Sequence, residues 1–419
     1  MTNPFKLIFA VLALFSMIVM PVSAYSDTLP LGAAGEITES MVSDAVCGYM
    51  LGNNDLTLDE VSDAAYVYTV WDGKPYTVTD MDERSMTFYR PIERIITTNP
   101  DNSRLVIAYG DGDLLVGSDE CTVGSDCVCP MTTSDEIYCE ECWDSCTDGG
   151  LNNVPQTSTR YEVNYELMTS LRPDIIFEAD FWKDRAEDMA EKVGVPVFVA
   201  GCDFDYDTMR AQAISVGEAL SQQKEAEELA EFMDEKVAMI TTVADTIPED
   251  EKVTVYFAPR GAKKGFYDAK EGRDFTRTYN TYDPLTMAGG VNVAEECADG
   301  EVNVAIEQVI AWDPDVILVA CSDPEDAGVQ FILDAEELQS IQAVEDGNVY
   351  NVFYPHCRGR PVDINLINMI YIAKVLYPEK FAHIDMEAEG NEIEKAFLDV
   401  DGVYSEISEY LVFPVEQDV

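Results

Sequence analysis

Histidine is nearly missing and positive charge is scarce. The 419 residues hold 2 His and 26 Lys plus Arg against 80 Asp plus Glu, a formal net charge of -54. A surface of that sign repels a phosphate backbone, which excludes nucleic acid as a partner. It also keeps a chain hydrated in high salt, where screening weakens self-repulsion, so it reports on the medium rather than on mechanism. There is no Gly-x-Ser-x-Gly elbow, no phosphate-cradling Gly-rich Lys loop and no His-Glu-x-x-His pair. With two His and no spaced base–nucleophile pair, no enzyme is expected. Long apolar runs are missing as well, with one exception. Leu7 to Met20, LIFAVLALFSMIVM, follows Lys6 and precedes Val22-Ser23-Ala24, the layout of a signal-peptide core and its small-x-small cleavage site. Residues 1–24 are therefore read as a signal peptide, with an uncleaved N-terminal anchor as the alternative. No Cys follows the run, so a lipid anchor is not indicated, and the chain is expected to be extracytoplasmic.

What is present is a chain with a core. Hydrophobic residues make up 47% and aromatics 10%, which excludes disorder throughout, and the length predicts two or three domains. Residues 25–90 form an N-terminal appendage: two short helices around Gly52-Asn53-Asn54-Asp55, then a hairpin across Asp72-Gly73 between YVYTVW and YTVTD. The Asn/Asp turn has half the look of a calcium loop, but its Gly and its last Glu are misplaced, and a helix-capping turn fits better. From Pro91 the pattern changes to short apolar strands (ERIITT, DLLVGS, DIIFEA, PVFVAG) alternating with helical stretches, the mark of parallel α/β sheets.

An internal repeat organises this part. Glu166 to Phe177 reads ELMTSLRPDIIF and Glu307 to Leu318 reads EQVIAWDPDVIL. Each is a helix that cannot continue past the residue before Pro, then a buried parallel strand. Upstream of each copy stands Leu-x-x-Ala-x-Gly: Leu105, Ala108 and Gly110, then Leu285, Ala288 and Gly290. The fold class expected is α/β, with two Rossmann-like lobes joined by a long rigid helix. In residue ranges, this gives a first lobe at 91–206 with a Cys-rich insert at 121–146, an inter-lobe helix at 207–246, and a second lobe with C-terminal tail at 247–419. Neither Gly nor Pro occurs from Glu218 through Ile247, so a continuous helix is predicted there.

These stretches, in this order, carry a resemblance. Pro91 to Phe381 resembles the substrate-binding proteins of iron-siderophore, haem and cobalamin ABC importers, the class III periplasmic binding proteins with a rigid helical backbone. The resemblance runs through RIITTNPDNSRLVIAYGDGDLLVGSDE, NYELMTSLRPDIIF, GVPVFVAG, GEALSQQKEAEELAEF, AGGVNVAEE, VAIEQVIAWDPDVILVA and AVEDGNVYNVF, and ends in AKVLYPEKF. It implies a protein that captures a ligand between two lobes and delivers it to a membrane permease served by an ATPase. It also implies one surface carboxylate per lobe for docking to Arg residues of that permease; the matching positions are Glu166 and Glu307. As residues alone, both merely suit the first turn of a helix.

The scarce cations collect in one place. Arg260, Lys263, Lys264, Lys270, Arg273 and Arg277 are 6 of the chain's 26, and they precede Tyr279, Tyr282 and an AGG turn. Arg358 and Arg360 follow a later strand, next to His356 and Tyr354. Arg binds carboxylate or phosphate-like groups through a planar fork, so these residues are read as the rim of an anionic-ligand site, with Tyr279 and Tyr282 stacking and His356 as a possible iron ligand or chelate cap. The alternatives are local pairing of the cations with neighbouring carboxylates and, for His356, a plain hydrogen-bonding role. Six Cys fall in the insert: Cys121, Cys127, Cys129, Cys139, Cys142 and Cys146. In an oxidising exterior they make three disulfides; the competing reading is a metal or iron–sulfur site. Such a cluster departs from the family's usual pattern. No intrinsic cofactor is expected, the ligand is expected to be a ferric chelate, then a corrinoid or a haem, with an oxyanion as a further alternative, and the chain is expected to act as a monomer. The rival functions are an exported metal or redox protein built on the Cys loop and a surface scaffold using the appendage.

Overall fold

The computed structural model describes residues 36–123, 154–159, 161–201, 203–259, 261, 275–298, 300–320, 328–353 and 360–410. The signal peptide and nearly all of the Cys-rich insert lie outside the described residues. Helices α1 (Glu39–Leu51) and α2 (Leu58–Val70) come first. Glu60 N–H donates to Thr57 Oγ1 at 3.2 Å and Thr57 N–H to Glu60 Oε2 at 2.7 Å, a reciprocal cap that starts α2. The turn between the helices is a capping element: Gly52 ends α1 at φ 67°, and Asn54 Nδ2 donates back to Ala45 O at 3.2 Å.

One expectation fails here. YVYTVW is not a strand but the end of α2, because Val61, Ala64, Ala65 and Val67 bury one helical face. Asp72-Gly73 closes that helix, with Gly73 N–H donating to Val67 O at 3.0 Å. The hairpin lies further on, between β1 (Tyr76–Thr79) and β2 (Ser85–Phe88), in register Tyr76 to Phe88. Its turn is tied by the buried Asp80 carboxylate, which accepts Asp82 N–H at 3.0 Å, Arg84 N–H at 2.8 Å and Val199 N–H at 3.1 Å.

The alternating region follows as β3 (Ile95–Thr97), α3 (Pro100–Ala108), β4 (Leu115–Asp119), β5 (Gln156–Ser158), α4 (Tyr165–Leu171), β6 (Ile175–Ala179), α5 (Ala186–Val193) and β7 (Val197–Ala200). Two helices come next, α6 (Tyr206–Ala219) and α7 (Gln223–Ala244). The rest includes β8 (Thr254–Ala258), β9 (Arg277–Tyr279), α8 (Asp283–Met287), β10 (Val291–Asn292), β11 (Glu301–Asn303), α9 (Ile306–Trp312), β12 (Val316–Ala320), β13 (Val349–Val352), α10 (Val362–Leu376) and α11 (Met386–Leu398), with shorter helices between and after them. The chain divides into two compact units, residues 1–96, 114–117 and 163–200, and residues 97–113, 118–162 and 201–419. In the first, β4, β3, β6 and β7 stand in that order, and β6 runs parallel to β7. Ile96, Met168, Ile176, Met189 and Val197 form its core. In the second, β10-β8-β12-β13 make a parallel sheet, and Tyr256, Ile317, Val319 and Leu338 pack on one side of it. Strands IIFEA and VILVA are buried along their whole length, as parallel strands covered on both faces must be.

The continuous helix expected from Glu218 is broken. Ser221 takes φ 63°, and Gln222 N–H returns to Gly217 O at 2.8 Å, so α6 stops and α7 restarts at Gln223. A Schellman end needs only one residue willing to enter the left-handed region, and here it is Ser rather than the Gly that a sequence search looks for. The Leu-x-x-Ala-x-Gly repeat is real but one residue out of register. The equivalent left-handed positions are Gly110 (φ 76°) and Gly289 (φ 88°). After them, Asp111 N–H donates to Val106 O and Gly290 N–H to Leu285 O, both at 3.1 Å.

Candidate functional site

Within the second unit, chain ends of three parallel strands meet in a lattice of hydroxyls. Thr97 Oγ1, at the end of β3, lies 2.7 Å from both Ser103 Oγ and Ser118 Oγ. Ser103 Oγ is 2.9 Å from Thr122 Oγ1, which donates to Asp119 Oδ2 at 2.5 Å. Thr157 Oγ1, on β5, donates to Ser118 O at 3.0 Å. The carboxyl ends of parallel strands are where α/β folds place ligands. Two polar groups here make no hydrogen bond among the described residues: the Asn99 amide, through both its oxygen and its nitrogen, and Ser158 Oγ. Asn99 is 1% exposed and Ser158 3%. Asn99 occupies the N-cap position of α3 yet does not cap it. A buried, unpaired amide costs about 1–3 kcal/mol, which a ligand reaching it offsets.

Arg360 joins this region from the segment before α10. Its N–H donates to Asp101 Oδ2 at 2.6 Å, and its Nη1 to Asp203 Oδ1 at 2.8 Å. The guanidinium lies 4.5 Å over the Phe204 ring. Phe204 in turn meets Tyr279 and Tyr282 edge-on, each at 5.2 Å. Both tyrosines, read from the sequence as stacking surfaces, are buried: Tyr279 is 4% exposed and Tyr282 0%. Tyr282 stacks on Phe257 at 4.2 Å, its hydroxyl accepts from Asn368 Nδ2 at 3.0 Å, and burial holds the phenol far above its ordinary pKa. They support the Phe204–Arg360 pair from behind.

A buried ion triad holds the same elements together. Arg104 Nη2 binds Asp363, and also Glu394 Oε2 at 3.0 Å, joining α3, α10 and α11. All three side chains are at most 2% exposed. Burial raises the Glu394 carboxyl above its usual range against the opposing pull of Arg104. Asp101 and Arg104 are three residues apart on α3, and they meet Arg360 and Asp363, also three apart. The N-terminal turns of α3 and α10 are thus fastened at two successive points. Loss of this one cation would leave two buried carboxylates uncompensated and strongly destabilise the fold.

The remaining sequence-nominated residues fall as follows. Arg277 pairs with Glu301 at 2.8 Å across β9 and β11, so this cation and Arg360 both have carboxylate partners. Glu166 and Glu307 are exposed in the first turns of α4 and α9. Arg260, Lys263, His356 and Arg358 lie outside the described residues, as do Cys127, Cys129, Cys139, Cys142 and Cys146; Cys121 belongs to the short helix Glu120–Val123. Cys47 is an exposed free thiol and Cys297 a half-buried one. Sequence reasoning missed Asn99, although Asn-Pro-Asp directly after an apolar strand is a readable helix start at a strand's carboxyl end.

Comparison with known proteins gives this arrangement its relatives. The sequence model of a family described as "Periplasmic binding protein" matches residues 95–352. The molybdate-binding protein MolA of Haemophilus influenzae is 24% identical over 270 residues, covering 59% of this chain and 73% of that protein. An uncharacterized ABC transporter substrate-binding lipoprotein of Bacillus subtilis, YvrC, is 21% identical over 312 residues, covering 73% and 87%. Among solved structures, an ABC transporter solute binding protein of Sulfurospirillum deleyianum superposes with a TM-score of 0.61 at 19% identity, over 81% of this chain and 99% of that one.

Proposed function

Because the chain belongs to the periplasmic binding protein family, we propose that it is the extracytoplasmic solute-binding component of an ABC importer, capturing an anionic metal complex and handing it to a membrane permease and its ATPase. The first ligand class is a ferric chelate. The observation that carries this reading is the buried Asn99 amide at the start of α3, which makes no hydrogen bond among the described residues and stands two residues before Asp101, the acceptor of the Arg360 backbone N–H. An amide N–H, a helix N-terminus and a guanidinium all donate toward anionic oxygen, and carboxylate or hydroxamate arms on iron supply it. A second reading, a metal oxyanion, is favoured by the compactness of that donor set and by the likeness to a molybdate-binding protein. A corrinoid or haem in the same role would present its carboxylate or phosphate edge to the same donors. Docking to the permease is assigned to Glu166 and Glu307.

Native mass spectrometry of the mature chain tests this, with ferric chelates, molybdate, haem and a corrinoid offered separately. A one-to-one adduct with one class is expected. Asn99→Ala and Arg360→Ala should each weaken it at least tenfold, about 1.4 kcal/mol. Iron or sulfide bound with nothing added would move the function to the Cys residues and support the redox reading.

A further inference from the structure

Away from the candidate site, the second unit carries a groove of about 590 Å³. Half-buried Val293, Val304 and Trp312 give it an apolar floor, while exposed Glu295, Glu296 and Gln308 stand around it. It runs along β10, which is an edge strand of its sheet, and against α9. Among the described residues, no Lys or Arg lines it. In a chain of net charge -54 an acidic rim is ordinary. An apolar floor with a Trp beneath that rim is not, because an acidic surface gains nothing in solubility from it. An anionic metal complex is repelled by two carboxylates without a counter-cation, so the groove does not suit the transported ligand. A protein segment does suit it: apolar anchors fill the floor, Arg or Lys meets the carboxylates, and Arg also stacks on Trp.

Ala305 and Gln308, which line the groove, flank Glu307 on α9. We propose that the groove seats a basic, apolar-anchored segment of the importer's permease, turning docking at this unit from a single carboxylate into a built socket. The proposal rests on the reading of Glu307 as a docking residue and adds Glu295, Glu296 and the apolar floor to it. The socket would decide which permease is accepted, since an apolar floor discriminates by shape where a lone carboxylate does not.

Cys297 provides the test, because its free thiol lines the groove. The full chain is mixed with its importer's permease–ATPase complex in nanodiscs and pulsed with iodoacetamide, and alkylation at Cys297 is read by peptide mass spectrometry. Docking is measured in parallel for the wild type, for the double variant Glu295→Lys/Glu296→Lys and for Glu307→Gln. The expected result is at least fivefold protection of Cys297 by the complex. The double reversal should weaken docking at least tenfold while leaving ligand affinity unchanged, which shows that the fold is intact. If Glu307→Gln weakens docking but Cys297 stays reactive and the double variant docks normally, the socket is overturned and the docking role of Glu307 stands. If the wild type does not dock at all, the importer reading fails and the socket with it.

Discussion

Helices α4 and α9, each seven residues long, both end on a left-handed residue directly before Pro-Asp and a five-residue buried strand. Arg172 sits at φ 51°, ψ 60° and Asp313 at φ 47°, ψ 60°. The Asp of each pair then bonds back to the start of an earlier strand, through both its backbone N–H and its carboxylate. Asp174 N–H donates to Arg94 O at 2.8 Å and Asp174 Oδ2 accepts Glu93 N–H at 2.9 Å; Asp315 N–H donates to Thr254 O at 3.0 Å and Asp315 Oδ2 accepts Thr254 N–H at 2.9 Å. The fastenings differ. In the first unit the Arg94 guanidinium takes the carbonyls that end α4, Leu171 O from Nη2 at 2.6 Å and Arg172 O from Nε at 3.0 Å. In the second, no guanidinium among the described residues serves; Asp313 Oδ1 accepts Gln342 N–H at 2.8 Å and Pro314 O accepts Ala343 N–H at 3.1 Å. A sequence repeat therefore reports the path of the backbone, while the groups that hold that path come from outside the repeat and need not repeat.

The sharpest way to break the comparison is at Arg94. Arg94→Met leaves the end of α4 without its donor and should destabilise the first unit by about 2–3 kcal/mol, the scale of charge-assisted hydrogen bonds. Asp313→Ala removes a carboxylate that accepts a single backbone N–H in the second and should cost less, about 1.5 kcal/mol, the low end of the same scale. Urea unfolding midpoints of the two variants measure the contrast, and equal losses would mean that the two ends are held alike after all. A pH effect tests the first copy next. Burial raises the Asp174 carboxyl above its ordinary value, against hydrogen bonds from the Glu93 and Arg94 backbone. The folded chain thus holds that proton more tightly than the unfolded one. The stability this contributes is present below the ordinary pKa and is lost as pH rises through the folded value. The wild type should therefore gain on Asp174→Asn as pH falls from 7 toward 4, in paired urea titrations. A difference that stays flat would show that the proton is not held there.

These pairings explain what the sequence makes legible. Helix, Pro-Asp and strand are local, so both copies, the parallel α/β class and the family order can be read from residue spacing. The fastenings are not local. Arg104 reaches Asp363 and Glu394 across 259 and 290 residues of chain, and Arg94 reaches Leu171 across 77; no pattern of residue types along the chain announces such partners. Asn99 reads as an ordinary helix cap, and only its surroundings reveal that the amide caps nothing. The rim cations were legible as a cluster by count, but Arg277 and Arg360 turn out to share their charge with Glu301 and Asp203. Tyr279 and Tyr282 lie near Arg360 as their position in the chain implies, yet burial gives them a supporting place that hydropathy cannot distinguish from an exposed one.

The smallest expected effect is also the cleanest test of the symmetry. Asn164 caps α4, its Oδ1 accepting Leu167 N–H at 3.0 Å, whereas Ala305 stands at the same position before α9 and offers nothing. The Ala305 backbone is already extended, at φ -74° and ψ 149°, the conformation an N-cap residue adopts. Ala305→Ser should therefore stabilise the second unit by about 0.5–1 kcal/mol, and Asn164→Ala should destabilise the first by about 1 kcal/mol. Ser adds a hydroxyl without bulk or charge, so Glu307 and Trp312 keep their places. If Ala305→Ser brings no gain, the first N–H groups of α9 already have acceptors in water or in a partner. That outcome would locate the asymmetry between the copies in what the second helix is built to meet, since an uncapped first turn leaves its donors and its Glu307 open to the same visitor.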